Sequence, residues 1–241
     1  MKKSEEQSAP RIGIIDATRG LAIILMVMHH FAYDLIMYDL IPGWLINNPV
    51  FNPIQMFFAG LFIFISGLSS YVSRNNLKRG AVIFAGGIAV TLVSYLFDNT
   101  AYVRFGILHF LGIAAIIYAL IRKGLERIPR KLSLALIIAG FFVSLWVVSL
   151  STGLTWLFPL GIMYGGFVST DYFPLLPWFF VYLLGSWAGQ PVFARQLPKR
   201  FYALSFPLFE KIGRKTLIIY LVHQPIVMGL TWLILLILPR V

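Results

Sequence analysis

The 241-residue chain contains no cysteine, and charged residues make up only 12% of it. The absence of cysteine excludes disulfide bonds, thiolate catalysis and cysteine-based metal sites. The shortage of charge accompanies a hydrophobic content of 59%. Soluble globular domains carry roughly 45–50% apolar residues and about 25% charged ones. The composition therefore predicts an integral membrane protein.

Acidic residues are also scarce, nine against 20 Lys and Arg, so the formal net charge is +11. Such an excess is typical either of nucleic-acid binding or of the cytoplasmic loops of a membrane protein. The N-terminal MKKSEEQSAPR is a short polar tail. It does not predict a cleaved signal peptide, because the apolar run after it is too long and carries charge at both ends.

Seven segments are long and apolar enough to cross a bilayer, for which about 20 residues suffice. They are 18–39, 52–73, 80–97, 105–121, 132–151, 174–190 and 216–238. An eighth apolar stretch, 152–173, is interrupted by Pro159 and four glycines. A straight helix is disfavoured there, which leaves an eighth span or an irregular, re-entrant segment.

The basic residues decide between seven and eight spans. With seven spans and a cytoplasmic N-terminus, all of the 20 Lys and Arg residues except Arg104 and Arg240 lie on the cytoplasmic side. An eighth span would move the basic residues of 191–215 outside. We therefore predict an all-α helical bundle of about seven transmembrane helices, with the C-terminus and an irregular segment 152–173 outside. We expect 1–241 to form a single domain, of which 1–15 is a cytoplasmic N-terminal tail. No nucleic-acid partner is expected.

The first span, DATRGLAIILMVMHHFAYDL, carries polar residues at both ends. A rise of about 1.5 Å per residue places His30 roughly 16 Å beyond Arg19. His30 and Asp34 are four residues apart on one helical face, so the carboxylate can hold one imidazole nitrogen and set its tautomer. His29 points about 100° away from that face. This pairing predicts a general base within the membrane.

Further polar residues lie in three other spans or beside them. His109 and Asp171 are expected at an outward depth similar to that of His30, and His223 about two turns from the cytoplasmic end of the last span. A histidine at such a position can also serve only as a bridge between helices. Asp16 can cap the first helix while Arg19 extends to the interface. Gly60 and Gly67 are typical of close helix packing.

A histidine base suits direct acyl transfer from a thioester to a hydroxyl or amine, or transfer through an acyl-histidine. Arg19, Arg74, Lys78 and Arg79 at the cytoplasmic end could bind the phosphates of acetyl-CoA. The acceptor would then lie outside. No metal is needed for this chemistry.

Five segments in order resemble motifs of one family. The first span resembles the signature D-x-x-R-G-x-A-x-x-L-M-x-x-x-H-F-x-x-D of prokaryotic proteins related to the catalytic domain of heparan-α-glucosaminide N-acetyltransferase. The further similar segments are FIFISGLSSYVSRNNLKRG (62–80), RFGILHFLGI (104–113), STDYFPLLPWFFVYLLG (169–185) and IGRKTLIIYLVHQPI (212–226).

The resemblance implies a multi-pass acyltransferase of the plasma membrane, which moves an acetyl group from cytoplasmic acetyl-CoA to a sugar or amino sugar outside. It implies catalytic roles for His30, Asp34, His109 and Asp171, and donor-binding roles for Asp16, Arg19, Arg74, Arg79 and His223. The chain is much shorter than the lysosomal enzyme, and a heparan-like acceptor is not implied. Membrane lipid is an expected partner, and a homodimer is left open.

Three other functions remain as alternatives. The same His and Asp residues could form the proton relay of a coupled transporter or channel. A haem protein would need two axial histidines, and the expected depths leave only His29 or His30 with His109. A non-enzymatic scaffold role is the third alternative.

Overall fold

The computed structural model describes residues 11–45, 49–150 and 153–237. The predictions for Lys2, Lys3 and Arg240, and for most of the N-terminal tail, lie outside the described residues. Over this part of the chain the protein is all-α, as predicted. Its seven long helices are α1 (Gly13–Met37), α2 (Phe51–Val72), α3 (Asn76–Phe97), α4 (Ile107–Leu125), α5 (Arg130–Val148), α6 (Leu175–Phe193) and, after two short helices, α9 (Thr216–Ile237).

The prediction of about seven spans agrees with these helices. Six of them are long and apolar enough to cross a membrane, and α6 is the seventh long helix. Helix α6 contains Pro191, and Leu176 near its start has non-helical backbone angles. Several residues of α6 are buried against the rest of the bundle, among them Tyr182, Leu183 and Gly185.

Helices α2 and α6 pack closely through glycines. A Cβ atom on Gly67 would overlap the carbonyl of Tyr182, and one on Gly185 would overlap the carbonyl of Phe64. Tyr182, 1% exposed, lies in the main hydrophobic core of the bundle. The interpretation of Gly67 as a packing residue is thus confirmed.

The predicted cytoplasmic loop between α6 and α9 contains two short helices, α7 (Lys199–Ala203) and α8 (Pro207–Gly213). Helix α8 packs directly on α1, where Gly20 lies against the carbonyl of Phe209 and Gly213 against the carbonyl of Asp16. This packing sets where α9 begins. Gly213 is the last residue of α8, so its contact with the Asp16 carbonyl fixes the chain three residues before α9 begins at Thr216.

The segment between α5 and α6 is irregular, as predicted. It contains a 3₁₀ turn, Thr155–Leu160, and its glycines Gly161 and Gly166 have φ angles of +105° and +78°. The backbone N–H of Phe173 donates to the carbonyl of Phe105 at 2.9 Å. This contact fixes the end of the segment beside the start of α4.

Candidate active site

A group of polar side chains joins α1, α2 and α8 at the end of the bundle where α1 begins. Arg19 contacts Asp16 at 2.8 Å and donates to the hydroxyl of Ser69 at 2.7 Å. Arg214, which follows α8, lies 4.0 Å from Asp16 and 3.2 Å from Glu210. Asp16 therefore does not cap α1 through its side chain; it orients Arg19 toward α2.

Arg79 on α3 is half-buried and held by neutral acceptors. Its Nη1 donates to the Ser70 hydroxyl at 2.8 Å, and its Nη2 lies 3.4 Å from the Ser66 carbonyl. Within the described ranges no carboxylate forms an ion pair with Arg79. A guanidinium in such surroundings keeps an uncompensated positive charge, which favours an anionic ligand.

A cavity of ≈ 660 Å³ starts among these cations and continues into the bundle. Its polar lining includes Arg19, Lys78, Arg79 and Arg214, and its apolar lining includes Phe62, Val82, Ile83, Leu108, Leu111 and Leu217. Tyr220 of α9 also lines it. A second cavity, of ≈ 290 Å³, shares Arg19 and Arg214. Arg74 does not line either of these two cavities.

Two histidines meet in the interior. The ring centroids of His30 on α1 and His223 on α9 are 5.0 Å apart. The expectation that His223 lies at a different depth from His30 is therefore wrong. The physical reason is the packing of α8 on α1, which fixes Gly213 against Asp16 and so brings the second turn of α9 beside His30. His29 instead stacks on Phe51 at 5.3 Å.

The hydrogen bonds of His223 define its tautomer. Its Nδ1 lies 2.6 Å from the carbonyl oxygen of Tyr220. Because a carbonyl oxygen only accepts, Nδ1 carries the hydrogen and Nε2 keeps a lone pair. That Nε2 atom is buried and has no hydrogen-bond partner among the described residues. The ring is therefore oriented by α9 itself and has one nitrogen able to take a proton.

Asp34 does not bind His30 as the sequence spacing predicts. The amide of Gln224 donates to both of its carboxylate oxygens, at 3.2 and 3.1 Å. Helix α9 lies along α1, so the residue after His223 lies opposite Asp34 and offers it a donor from another helix. The Asp34–Gln224 contact thus joins the two helices that carry His30 and His223.

Asp171 lies at the junction between the outer segment and the bundle. Its Oδ2 accepts from the Tyr220 hydroxyl at 2.8 Å and from the backbone N–H of Ile107 at 3.0 Å. Burial raises the pKa of the Asp171 carboxyl, and these two hydrogen bonds oppose the rise. Asp171 therefore connects the start of α4 to Tyr220.

His109 has a hydrogen-bond partner at each ring nitrogen. Its Nδ1 accepts from the backbone N–H of Gly106 at 3.2 Å, so its Nε2 donates to the Thr91 hydroxyl at 3.2 Å. The same hydroxyl donates to the carbonyl of Val103 at 2.7 Å. This arrangement corresponds to the bridging role for a membrane histidine and separates His109 from the His30–His223 pair.

The structure thus places most of the predicted site residues in three groups. The first is the cation group around Arg19 and Arg79, the second is the His30–His223 pair, and the third is Asp171 with its contacts. Tyr220 links them, because it lines the cavity, binds Asp171, and lies 5.2 Å from the His223 ring. Sequence reasoning missed Tyr220 and Gln224. Their i, i+3, i+4 spacing around His223 was the available signal.

Comparison with known proteins identifies the family. No curated protein and no solved structure matches this chain. A family model described as Heparan-alpha-glucosaminide N-acetyltransferase, catalytic, matches residues 11–225, which include all three groups. With its apolar helices, the chain is a multi-pass membrane protein that belongs to the heparan-alpha-glucosaminide N-acetyltransferase catalytic-domain family, a family of acetyltransferases.

Proposed function

We propose that this protein transfers an acetyl group from cytoplasmic acetyl-CoA to a sugar or amino sugar at the outer face of the plasma membrane. One observation carries the proposal. A single cavity connects a cluster of cations to Tyr220, whose ring lies 5.2 Å from one member of the His30–His223 pair. The entire chain, 1–241, would act as one catalytic unit in which the membrane lipid surrounds the bundle.

The cations support an anionic donor. Arg19 and Arg79, with Lys78 and Arg214 nearby, would bind the phosphates of acetyl-CoA. Asp16 would orient Arg19, and Arg74 would add positive charge at the same end of the bundle. The apolar walls beyond the arginines would accept the pantetheine arm. His223 would then lie near the thioester rather than near the phosphates.

The His30–His223 pair would carry the proton transfer. The acceptor oxygen or nitrogen would attack the thioester carbonyl while His30 removes the acceptor proton. The carbon–sulfur bond would break, and the protonated histidine would return the proton to the departing CoA thiolate. Asp34, through Gln224, would keep α1 and α9 in register, and Asp171 would hold Tyr220. His109 would stabilise the start of α4.

The first test measures thiol release from acetyl-CoA by the purified protein with a panel of amino sugars and glycans. The chain has no cysteine to react with the thiol dye. We expect acceptor-dependent release in the wild type and a loss of roughly 100-fold or more in His30→Gln, because general-base catalysis contributes about 10²–10⁴-fold. His29→Gln, a change at the neighbouring position, should retain release within a few-fold.

Donor binding is measured in parallel as the rise in melting temperature with acetyl-CoA. It should persist in His30→Gln and decrease in Arg79→Gln. If no acceptor supports thiol release and acetyl-CoA leaves the melting temperature unchanged, the proposal is overturned. Proton flux in reconstituted vesicles would then test the transporter alternative.

A further inference from the structure

We infer that Tyr220 closes the inner end of the ≈ 660 Å³ cavity and thereby restricts the donor to short acyl chains. The inference rests on the proposed function, because it assumes that this cavity receives the acyl thioester. It adds a specificity-determining residue, Tyr220, and a positioning residue, Asp171, together with a class of donor, acetyl and propionyl thioesters.

The position of Tyr220 suits a residue that closes the cavity. The residue is 9% exposed and lines the cavity one turn into α9. Its hydroxyl donates to Asp171 Oδ2 at 2.8 Å, and Asp171 belongs to the segment that leads into α6 and does not itself line the cavity. The tyrosine therefore separates the cavity from the segment that leads into α6.

Tyr220 is held in place by its hydrogen bond to Asp171. The oxygen that accepts from its hydroxyl also accepts from the backbone N–H of Ile107 at 3.0 Å. Behind the carboxylate there is no free space, since a Cβ atom on Gly106 would overlap Asp171 Oδ2. Rotation of the tyrosine ring would remove the Asp171 acceptor from its buried hydroxyl, which is costly.

The part of the cavity beside Tyr220 suits an acyl chain. The walls beside Tyr220 include Leu108, Leu111 and Leu217, and these are apolar. An acyl chain would be accepted there until it reaches the tyrosine ring. That ring lies 5.2 Å from the His223 ring, and neither His30 nor His223 lines the cavity. A thioester carbonyl that approaches the histidine pair from the cavity would therefore lie beside Tyr220, which leaves space for only a short chain.

The experiment measures the dissociation constants of acetyl-CoA, butyryl-CoA and hexanoyl-CoA by calorimetry on the full-length protein in detergent. We expect the wild type to bind hexanoyl-CoA at least ten-fold more weakly than acetyl-CoA. Tyr220→Ala should abolish or reverse this ratio, and Tyr220→Leu, which removes less volume, should reduce it. Phe62→Ala is the matched control, because it removes another aromatic ring that lines the same cavity and should leave the ratio unchanged.

The outcomes separate the inference from the proposed function. A wild type that binds hexanoyl-CoA as tightly as acetyl-CoA, or a ratio unaltered in both Tyr220 variants, overturns the inference and leaves the proposed function standing. An equal change in Phe62→Ala also overturns it, since any enlargement of the cavity would then suffice. A wild type that binds none of the three thioesters overturns the proposed function itself.

Discussion

At the scale of single residues, Asp171 has the clearest structural role. One of its carboxylate oxygens, Oδ2, accepts from both the Tyr220 hydroxyl and the Ile107 backbone N–H. The resemblance to the family implies catalysis for this residue, whereas its contacts indicate that it positions Tyr220 and the start of α4. An asparagine at this position distinguishes the two roles, because its amide keeps the hydrogen-bond acceptor but not the ionisable carboxyl group.

We therefore predict that Asp171→Asn retains the fold and Asp171→Leu does not. A single amide oxygen can occupy the position of Oδ2 and accept from both donors, so the free energy of unfolding should stay within about 1 kcal/mol of wild type. Leucine leaves two donors unsatisfied, at roughly 1–3 kcal/mol each. Melting temperatures in detergent measure the difference, and equal losses in the two variants would contradict the structural role.

The same residue makes stability depend on pH. Burial raises the pKa of the Asp171 carboxyl above its value in the unfolded chain, about 3.9. The native state then holds this proton more tightly than the unfolded state does, so the contribution of Asp171 to stability falls as pH rises through the folded pKa. Melting temperatures from pH 4 upward should show a decline in wild type relative to Asp171→Asn. A constant difference between the two proteins would contradict the raised pKa.

At the scale of secondary-structure elements, glycines determine which helices lie together. Gly20 of α1 lies against the Phe209 carbonyl of α8, and Gly213 lies against the Asp16 carbonyl of α1. Helix α8 is only seven residues long, so its position depends on this contact. Because α9 follows α8 at once, the contact also determines where His223 lies relative to His30.

We expect Gly20→Ala to be strongly destabilising and Gly229→Ala to be neutral or stabilising. Both glycines lie inside long helices, where alanine is favoured by about 1 kcal/mol. A Cβ atom on Gly20 would overlap backbone atoms of Phe209, whereas nothing lies within 4 Å of a Cβ atom on Gly229. The comparison of melting temperatures and of acetyl-CoA binding isolates the packing effect. A Gly20→Ala protein as stable as Gly229→Ala would contradict the close α1–α8 contact.

At the scale of the whole molecule, the orientation of the bundle determines on which side of the membrane the cation cluster lies. The distribution of Lys and Arg predicts that the cavity mouth beside Lys78 and Arg214 faces the cytoplasm, where acyl-CoA thioesters are made. The distribution of charge along the chain thus favours a cytoplasmic acyl-CoA as the donor.

Single cysteines test this orientation, since the wild type contains none. Asn99→Cys, after α3, should react with a membrane-impermeant maleimide in intact cells. Lys123→Cys, near the end of α4, should react only after permeabilisation. Both positions are exposed, so differences in labelling report the side of the membrane. The reverse pattern would place the cation cluster outside and contradict a cytoplasmic donor.

Much of the fold could be predicted because its determinants are local. The apolar length of a segment and its flanking charges give the spans, and the glycines and proline of 152–173 predict the irregular segment. The main differences are in 191–215, where two short helices replace a plain loop, and in α1, which begins at Gly13 rather than near residue 18. Hydropathy does not predict short helices or the polar first turn of a long one.

By itself, the sequence determined that this is a membrane bundle of about seven helices belonging to an acetyltransferase family, because apolar length, charge and short motifs are local properties of a chain. Only the tertiary structure decided that His30 contacts His223, that Gln224 donates to Asp34, and that Tyr220 lies between the cavity and Asp171. These contacts depend on the lateral order and relative depth of helices. Both are set by close packing between residues far apart in the chain, which the spacing of residues within one helix does not contain.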